Sequence, residues 1–300
     1  MLGVFIFYTF LLRAPSEFPR HSFYAVEEGT SVSAVATSLY GAHMIKSPGM
    51  FKAFVVFSGS IKGVLAGDYF FAEPENAFSL ARRLILGNHQ LQPLRVTIPE
   101  GFSVHEIATI LNETLSEFDE EYFIEHAHEG YVFPDTYLIL PNATAQSVLL
   151  MMERNFENNI KKLEADIQVF GKSLEDVITM ASIIEEEART SETRDIISGI
   201  LWRRLAIGMP LQVDVTFQYI NGKNTYELSL DDLAIDSPYN TYKYAGLPPT
   251  PISNPGFDSI RAAVHPRDTP YLYFLSSKNG TMYYATDFEG HKKNRILYLN

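Results

Sequence analysis

The stretch AVEEGTSVSAVATSLYG at residues 25–41 is repeated in similar form by TIPEGFSVHEIATILNE at residues 97–113. Each copy is predicted to form a strand, a Glu-Gly turn and a helix with a serine or threonine N-cap. In the second copy, Ser103 and Glu106 have the Ser-x-x-Glu spacing of a capping box. The copies share Glu28/Glu100, Gly29/Gly101, Ser31/Ser103, Val32/Val104, Ala36/Ala108, Thr37/Thr109 and Leu39/Leu111. The chain therefore contains two strand-to-helix units of similar design.

The first copy continues into a pattern of strand, helix, helix and strand. A second helix is predicted in PGMFKAFVVFSGS at residues 48–60, and a strand in VLAGDYFFA at residues 64–72. This βααβ order resembles the LysM fold, a small module that binds chains containing N-acetylglucosamine. An ordinary α+β packing unit is the alternative interpretation. Together with a connecting helix in AFSLARRLILGN (77–88), we place this LysM-like module at residues 22–94.

The rest of the chain mixes helices with a few strands. A long amphipathic helix is predicted at residues 144–165, and a second helix in SLEDVITMASIIEEEART at residues 173–190. Alternating apolar residues predict a β-hairpin at residues 270–287, with Lys278-Asn279-Gly280 as its turn. We therefore predict an α+β protein, in which the LysM-like module is followed by a mixed α+β domain at residues 95–300.

Composition excludes several classes of function. The 300 residues are 46% hydrophobic, enough for one large domain or two modest ones with real cores. The formal net charge of −12 disfavours binding to nucleic acid, whose phosphates would repel the chain. Because there is no cysteine, disulfides, thiolate nucleophiles and cysteine-ligated zinc are all excluded.

The first twelve residues, MLGVFIFYTFLL, are apolar except for Thr9. A helix that spans a bilayer needs about 20 apolar residues, so this run is too short to cross alone. We interpret residues 1–21 as part of an N-terminal membrane anchor with its linker. A locally buried N-terminal strand is the alternative.

The helix at 173–190 carries a glutamate at three successive positions. At about 100° per residue, Glu186 points away from the apolar stripe, whereas Glu185 and Glu187 lie on its two edges. A carboxyl group at such an edge is partly desolvated, and its raised pKa suits a general acid. The pattern does not choose between Glu185 and Glu187, and a solvated acidic helix end is the alternative. The stripe consists of Val177, Met180, Ala181 and Ile184.

Several separated segments resemble the endolytic murein transglycosylase, or YceG-like, family. MASIIEEEA (180–188) is similar to the family signature whose second glutamate is catalytic, and that position is Glu187 here. Thr250, Val215 and His291 depart from the family pattern. The other matching segments are GDYFF (67–71), EGYVFPDTY (129–137), RRLAIGMPLQVDVTFQY (203–219), SPYNTYKYAGLPPTPISNPGFDSIRAAVHP (237–266) and PYLYF (270–274). The resemblance extends from about residue 22 to the end.

The resemblance implies a lytic transglycosylase, a carbon–oxygen lyase in which Glu187 acts first as acid and then as base. The muramic acid 6-hydroxyl would attack C1 and form a 1,6-anhydro end, which terminates strand elongation. Substrate-binding residues are expected in the matching segments. Gln212 and Asp214 alternate along a predicted extended segment and so face one side. The other candidates are Tyr239, Asn240, Thr241, Tyr242 and Glu129.

Each of these binding residues also has a structural interpretation. Asp214 could cap a turn, the tyrosines could pack a loop, and Glu129 could be a surface charge. Two rival functions also stay open at this stage. One is a hydrolytic muramidase that uses a second carboxylate such as Glu185 or Asp214. The other is a non-catalytic peptidoglycan-binding scaffold.

Metal and cofactor chemistry is not expected. His105-Glu106 and His128-Glu129 begin like the His-Glu-x-x-His zinc motif, but Thr109 and Val132 occupy the positions of the second histidine. The expected partners are peptidoglycan glycan strands and, by the resemblance, peptidoglycan synthases and the cytoplasmic membrane. The resemblance also implies a single-pass N-terminal anchor with the catalytic domain outside the cytoplasm.

Overall fold

The computed structural model describes residues 12–58, 63–116, 118–223, 227–277 and 279–299. The apolar run at the N-terminus lies outside the described residues as far as residue 11, as does Lys278 of the predicted hairpin turn. The chain forms two compact units. The first extends to Leu94 and includes residues 140–142, and the second contains the remaining residues from Arg95 onward.

The described residues of the first unit form two strands and three helices. Strands β1 and β2 pair in antiparallel fashion, with Ser22 opposite Phe71 and Val26 opposite Gly67. The predicted order of strand, helix, helix and strand is confirmed, and the likeness to LysM remains a prediction. The elements are β1 (Ser22–Val26), α1 (Val32–Gly41), α2 (Pro48–Phe57), β2 (Gly67–Phe71) and α3 (Ala77–Leu86).

A small apolar core holds the first unit together. Its largest fully buried side chains include Phe51, Tyr69 and Phe71. Arg83 is buried beside them with its charge satisfied: it forms an ion pair with Glu75 and its guanidinium lies 4.3 Å from the centre of the Phe71 ring. A buried arginine is tolerated only when it is paired in this way.

The second unit contains most of the helices and two small sheets. Strand β3, which begins at Leu94, pairs with β4, and β5 pairs with β6 as the predicted antiparallel hairpin. The α+β class is therefore confirmed. The elements are β3 (Leu94–Thr97), α4 (Val104–Thr114), α5 (Glu120–His126), β4 (Thr136–Ile139), α6 (Ala145–Lys161), α7 (Glu164–Phe170), α8 (Leu174–Glu187), α9 (Ser191–Ala206), α10 (Thr216–Asn221), a 3₁₀ turn (Asp232–Ala234), α11 (Phe257–Val264), β5 (Tyr273–Ser276), β6 (Met282–Ala285) and α12 (Phe288–Tyr298).

The turns before α1 and α4 have the geometry that the repeat predicts. Gly29 and Gly101 both adopt φ of +81°, a value that favours glycine. The side chains of Ser103 and Glu106 form the predicted capping box at the start of α4. Local sequence therefore determines where this helix begins.

Helix α8 runs through the core of the second unit. The prediction of a single apolar stripe was too narrow, because every residue from Val177 to Ile184 is buried. Helices α9 and α11 both pack against α8. A further segment covers it where the Ser182 hydroxyl accepts a hydrogen bond from the Ile252 backbone N–H. Covered from several sides, α8 is held rigidly, and so is the acidic last turn that it carries.

Helix α9 packs closely on its neighbours. A Cβ atom at Gly199 would lie 2.0 Å from the carbonyl oxygen of Arg267, so this position admits no side chain. Trp202 donates a hydrogen bond from its indole N–H to the Ala263 carbonyl and packs edge-on against Phe170. Within the part of the chain that the structure describes, no helix is both long and apolar enough to cross a bilayer.

Candidate active site

The last turn of α8 places glutamates 185, 186 and 187 in different surroundings. The helix begins at Ser173, whose hydroxyl accepts a hydrogen bond from the Asp176 N–H, and ends at Glu187. The backbone becomes extended at Ala188. Because the three carboxyl groups leave the helix in different directions, tertiary contacts decide what each can do.

Glu185 is fixed by its partners. Its side chain is only 6% exposed and lies 2.6 Å from Nη2 of Arg194, whose side chain is 11% exposed. The other carboxylate oxygen accepts a hydrogen bond from the Gly256 N–H at 2.9 Å. With its oxygens engaged by Arg194 and by the Gly256 backbone, Glu185 is poorly placed to meet a substrate. This contact distinguishes the surroundings of Glu185 from those of Glu187, two residues that the helical pattern leaves equivalent.

Glu186 is exposed, as predicted, but its carboxyl end lies against the turn that precedes α4. A Cβ atom at Gly101 would be 2.7 Å from Oε1 of Glu186. Burial of that end raises the pKa of Glu186 to about 7. The negative charge of Glu185 contributes to the same rise.

Glu187, unlike Glu185, has no hydrogen bond or ion pair with any described residue. Burial of its carboxyl group is the main reason that its pKa is raised to about 8. The negative charges of Asp214 and Glu186 raise the pKa further, and the positive charge of Arg204 opposes them. Glu187 is therefore protonated at neutral pH, as a general acid must be.

Arg204 supplies a fixed positive charge near Glu187. The residue is buried, and its guanidinium donates hydrogen bonds to the carbonyl oxygens of Leu211 (2.5 Å) and Leu272 (2.6 Å). Arg204 is not among the site residues predicted from the sequence. A signal was present, since Arg204 follows Ile197 and Leu201 at the helical spacing of a buried face.

Asp214 and Tyr242 form a pair beside Glu187. The Tyr242 hydroxyl donates a hydrogen bond of 2.5 Å to Oδ1 of Asp214. Burial and the adjacent carboxylate both raise the pKa of Tyr242 above its usual value. Asp214 lies just before α10, but no side chain caps that helix, so its interpretation as a turn cap is not supported.

The backbone at Gln212 departs from the predicted extended segment. Gln212 has a left-handed φ of +48°, so the prediction that it alternates with Asp214 along a strand was wrong. The physical reason is a turn held by hydrogen bonds at both ends. The Leu211 carbonyl accepts a hydrogen bond from Arg204, and the Gln212 N–H donates one to the Thr241 carbonyl. The Gln212 side chain is exposed.

Asn240 and Thr241 hold in place the loop at residues 239–242, called the tyrosine loop because it carries Tyr239 and Tyr242. Asn240 is fully buried, and its amide donates to the carbonyl oxygens of Leu233 and Ile235. Its Oδ1 accepts the backbone N–H groups of Tyr242 and Lys243. The Thr241 hydroxyl bonds to the backbone N–H of Val213. In this structure both side chains hold the loop in place and present no free polar group to a sugar.

Glu129 and Tyr239 lie in a separate cavity of about 890 Å³. Glu129 accepts hydrogen bonds from the Val104 N–H and from the Asn254 side chain, so it is not the surface charge of the alternative interpretation. Burial raises its pKa to about 7. The Tyr239 hydroxyl lies 2.7 Å from Oγ1 of Thr250. The structure thus gathers Glu187, Asp214 and Tyr242 in one site and places Glu129 and Tyr239 in another.

Comparison with known proteins identifies the family. Residues 24–296 match the YceG-like family. The chain belongs to the YceG-like family. An endolytic murein transglycosylase of Bacillus subtilis (strain 168) is 32% identical over 304 residues, which cover 92% of this chain and 84% of that protein.

Two further matches are a relative from Streptococcus pneumoniae and a solved structure from Listeria monocytogenes. An endolytic murein transglycosylase of Streptococcus pneumoniae serotype 2 (strain D39 / NCTC 7466) is 28% identical over 319 residues, and the alignment covers 92% of this chain and 58% of that protein. A crystal structure of a putative YceG-like protein from Listeria monocytogenes has a TM-score of 0.63 at 27% identity. That comparison covers 91% of this chain and 98% of the other.

Three segments that carry the family resemblance meet at the end of α8. Segment 180–188 provides Glu187, segment 203–219 provides Arg204 and Asp214, and segment 237–266 provides the tyrosine loop. Among the described residues, no three histidine, aspartate or glutamate side chains come together as a metal site. The site of this YceG-like protein is therefore built from carboxyl, guanidinium and phenol groups.

Proposed function

We propose that this YceG-like protein is an endolytic peptidoglycan lytic transglycosylase in which Glu187 is the acid and the base. The observation that carries the proposal is the state of Glu187, whose carboxyl group has no hydrogen bond to a described residue and a pKa of about 8 at the end of a rigid helix. The curated relatives from Bacillus subtilis and Streptococcus pneumoniae are named endolytic murein transglycosylases, which supports the same reaction class.

The first step needs the proton of Glu187. Glu187 donates it to the oxygen that links N-acetylmuramic acid to N-acetylglucosamine, and the bond from C1 to that oxygen breaks. The developing oxocarbenium ion is positive, and the negative charge of Asp214 is placed to stabilise it. Arg204 stabilises the carboxylate that Glu187 becomes, since its positive charge favours the ionised form.

In the second step the same group acts as a base. The Glu187 carboxylate accepts the proton of the muramic acid 6-hydroxyl, whose oxygen bonds to C1 and closes a 1,6-anhydro ring. No water is consumed, and Glu187 ends protonated as it began. A positioned acid and base contributes roughly 10²- to 10⁴-fold to such a rate.

Hydrolysis is the second candidate, and the position of Asp214 favours it specifically. With Glu185 held by Arg194, Asp214 is the carboxylate left to act beside Glu187. A hydrolase adds water, so its product ends with a free reducing sugar about 18 Da heavier than the anhydro product.

Product analysis tests the proposal. The purified chain is incubated with uncrosslinked glycan strands, and the fragments are weighed by mass spectrometry. We expect anhydro ends from the wild type, none from Glu187→Gln, and wild-type products from the matched control Glu186→Gln. Products with reducing ends would assign the protein to the muramidases. Strand binding without cleavage would favour a scaffold.

We further propose that the protein acts on nascent strands outside the cytoplasmic membrane, beside the synthases that extend them. The apolar run at residues 1–12 and the family resemblance support attachment to that membrane. Fractionation of cells, with protease accessibility of the second unit in intact protoplasts, tests this placement. Recovery in the cytosolic fraction would contradict it.

A further inference from the structure

The cavity that contains Glu129 is lined mainly by acidic and aromatic side chains, together with the histidines His105 and His128. Its volume of about 890 Å³ lies in the range of sites for small ligands. It lies wholly within the second unit, between α4, α5, α6, the start of α8 and residues 250–251. The mechanism proposed above assigns it no role.

Four carboxyl groups line this cavity, and none of the described lining residues is a lysine or an arginine. They belong to Glu129, Glu153, Glu157 and Glu175. Within the described ranges, Glu153, Glu157 and Glu175 form neither ion pairs nor hydrogen bonds. Unpaired carboxylates that converge on one cavity create a negative potential and favour a cationic ligand.

Aromatic rings form much of the remaining wall, including those of Tyr131, Phe156, Tyr219 and Tyr239. The rings of Tyr219 and Tyr239 lie 4.9 Å apart, centre to centre. Aromatic faces attract ammonium groups and also pack against the methylene groups that carry them. The lining therefore suits a primary ammonium group at the end of a short apolar chain.

The tyrosine loop connects this cavity to the reaction site. Tyr239 lines the cavity, while the hydroxyl of Tyr242 bonds to Asp214 beside Glu187. Three residues span at most roughly 10 Å of backbone, so a ligand with an extended branch can occupy both sites. Muramic acid carries such a branch, because its lactyl group bears a peptide stem.

We propose that this cavity binds the free side-chain ammonium group of an uncrosslinked stem peptide. The inference rests on the function proposed above and specifies its substrate. Cross-linking converts that amine into an amide and removes its charge. Glu153, Glu157 and Glu175 would then lose their partner, so the enzyme distinguishes nascent strands from mature, cross-linked ones.

Cleavage and binding are measured separately to test this. Uncrosslinked strands are prepared with the stem amine free or acetylated, and kcat/KM is compared for the full chain. We expect acetylation to raise KM about tenfold for the wild type, as loss of an ion pair with cation–π contact would. The effect should shrink to less than about twofold in the double variant Glu153→Gln/Glu175→Gln.

The matched control is Glu113→Gln/Glu121→Gln, which removes the same charge from exposed positions outside the cavity. It should keep the full response to acetylation. An equal response to acetylation in both double variants would show that the cavity glutamates do not recognise the amine, and would overturn the proposal.

Binding gives a readout that does not depend on cleavage. Calorimetry uses a tripeptide that ends in a diamino acid, with its side-chain amine free or acetylated. Binding of the free amine alone, lost in Glu153→Gln/Glu175→Gln, supports the cavity even if the chain cleaves no strand. Equal affinity for both peptides overturns the inference, even if the chain proves to be a transglycosylase.

Discussion

The two edges of helix α8 use the same chemical group in opposite ways. At one edge, Glu185 accepts hydrogen bonds from Arg194 and from the Gly256 backbone. At the other, Glu187 lacks such partners among the described residues, and its pKa is raised to about 8. Contacts at the first edge stabilise the fold, whereas the second edge carries a buried carboxyl group at a cost in stability.

The backbone conformation of Gln212 is a second feature near Glu187 that lowers the stability of the fold. Gln212 adopts φ of +48° in the same turn that leads to Asp214, and this conformation is unfavourable for any residue with a Cβ atom. Strain of this kind persists where the surrounding structure enforces it and is common at functional sites. The comparison therefore predicts opposite signs: changes at the Glu185 edge destabilise the protein, and changes at the Glu187 edge stabilise it.

The largest effect is expected from Arg194→Met. The substitution leaves Glu185 buried without its cation, a change that costs about 3–5 kcal/mol in comparable pairs. Urea unfolding, followed by fluorescence, measures the free energy of unfolding directly.

Two further variants sharpen that measurement. Arg189→Met removes an exposed arginine without an ion pair in the described structure and should change stability by less than about 0.5 kcal/mol. The double variant Arg194→Met/Glu185→Gln should regain part of the loss, since the unpaired charge is gone. Equal losses of stability in Arg194→Met and Arg189→Met would show that the buried ion pair of Glu185 does not stabilise the fold.

Glu187→Gln should stabilise the protein, and increasingly so as pH rises. The folded-state pKa of about 8 exceeds the unfolded value of 4.5, so the folded chain retains a proton that the unfolded chain has lost. The free energy of unfolding of the wild type therefore decreases as the pH rises from 4.5 to about 8. The variant shows no such decrease at this position, because glutamine does not titrate. We expect a gain of about 1–3 kcal/mol at pH 8 that vanishes below pH 4.

Thermal unfolding of both proteins across this pH range provides the measurement, at roughly 2–4 °C per kcal/mol. A gain that is constant with pH would mean that the substitution acts through packing rather than through ionisation. No gain at any pH would show that Glu187 is not destabilising.

Asp214→Asn should move the pH dependence of activity. The negative charge of Asp214 raises the pKa of Glu187, so its removal lowers that pKa, and the acid form is lost at a lower pH. We expect the falling limb of the kcat/KM profile to shift down by about 1 pH unit. Where residual activity is too low, the carboxyl ¹³C shift of Glu187 reports the same titration.

Glu186→Gln is the control for this shift. The charge of Glu186 raises the pKa of Glu187 less than the charge of Asp214 does. The pH profile of Glu186→Gln should therefore shift in the same direction as that of Asp214→Asn, but by less. A larger shift for Glu186→Gln would reverse the order of the two neighbours and change which carboxylate is nearest to the reaction.

The smallest effect is expected from Gln212→Gly. Glycine adopts a left-handed φ without penalty, so relief of strain should stabilise the protein by about 0.5–1 kcal/mol despite a more flexible unfolded chain. Gln212→Ala keeps the strain and should be neutral. Equal activity of both variants and the wild type would show that the Gln212 side chain does not contribute to substrate binding.

Much of the fold followed from local sequence. The α+β class, the βααβ order and the β5–β6 hairpin depend on periodicity and turn residues close in the chain. The capping box at Ser103 and the positive φ at Gly101 are also local. These features need no information about distant contacts, which is why they could be predicted.

The environment of the site could not be predicted in this way. The Glu185 carboxylate accepts a hydrogen bond from Gly256, 71 residues away in sequence, and no local pattern predicts that contact. The contacts of Asn240 could not be predicted either. Its polar side chain is typical of a sugar-binding loop, but in the structure it bonds to backbone groups. Arg204 was missed because a buried cation breaks the usual hydrophobic pattern.

The indole of Trp202 gives the second unit its own optical reporter. It is the single tryptophan of the chain, and it is fixed by its hydrogen bond to Ala263 and by the edge of Phe170. Selective excitation of indole therefore observes the second unit alone, while tyrosine emission and circular dichroism observe both. Melting curves recorded by the two signals would reveal, without labels or truncation, whether the units unfold as one cooperative system or in sequence.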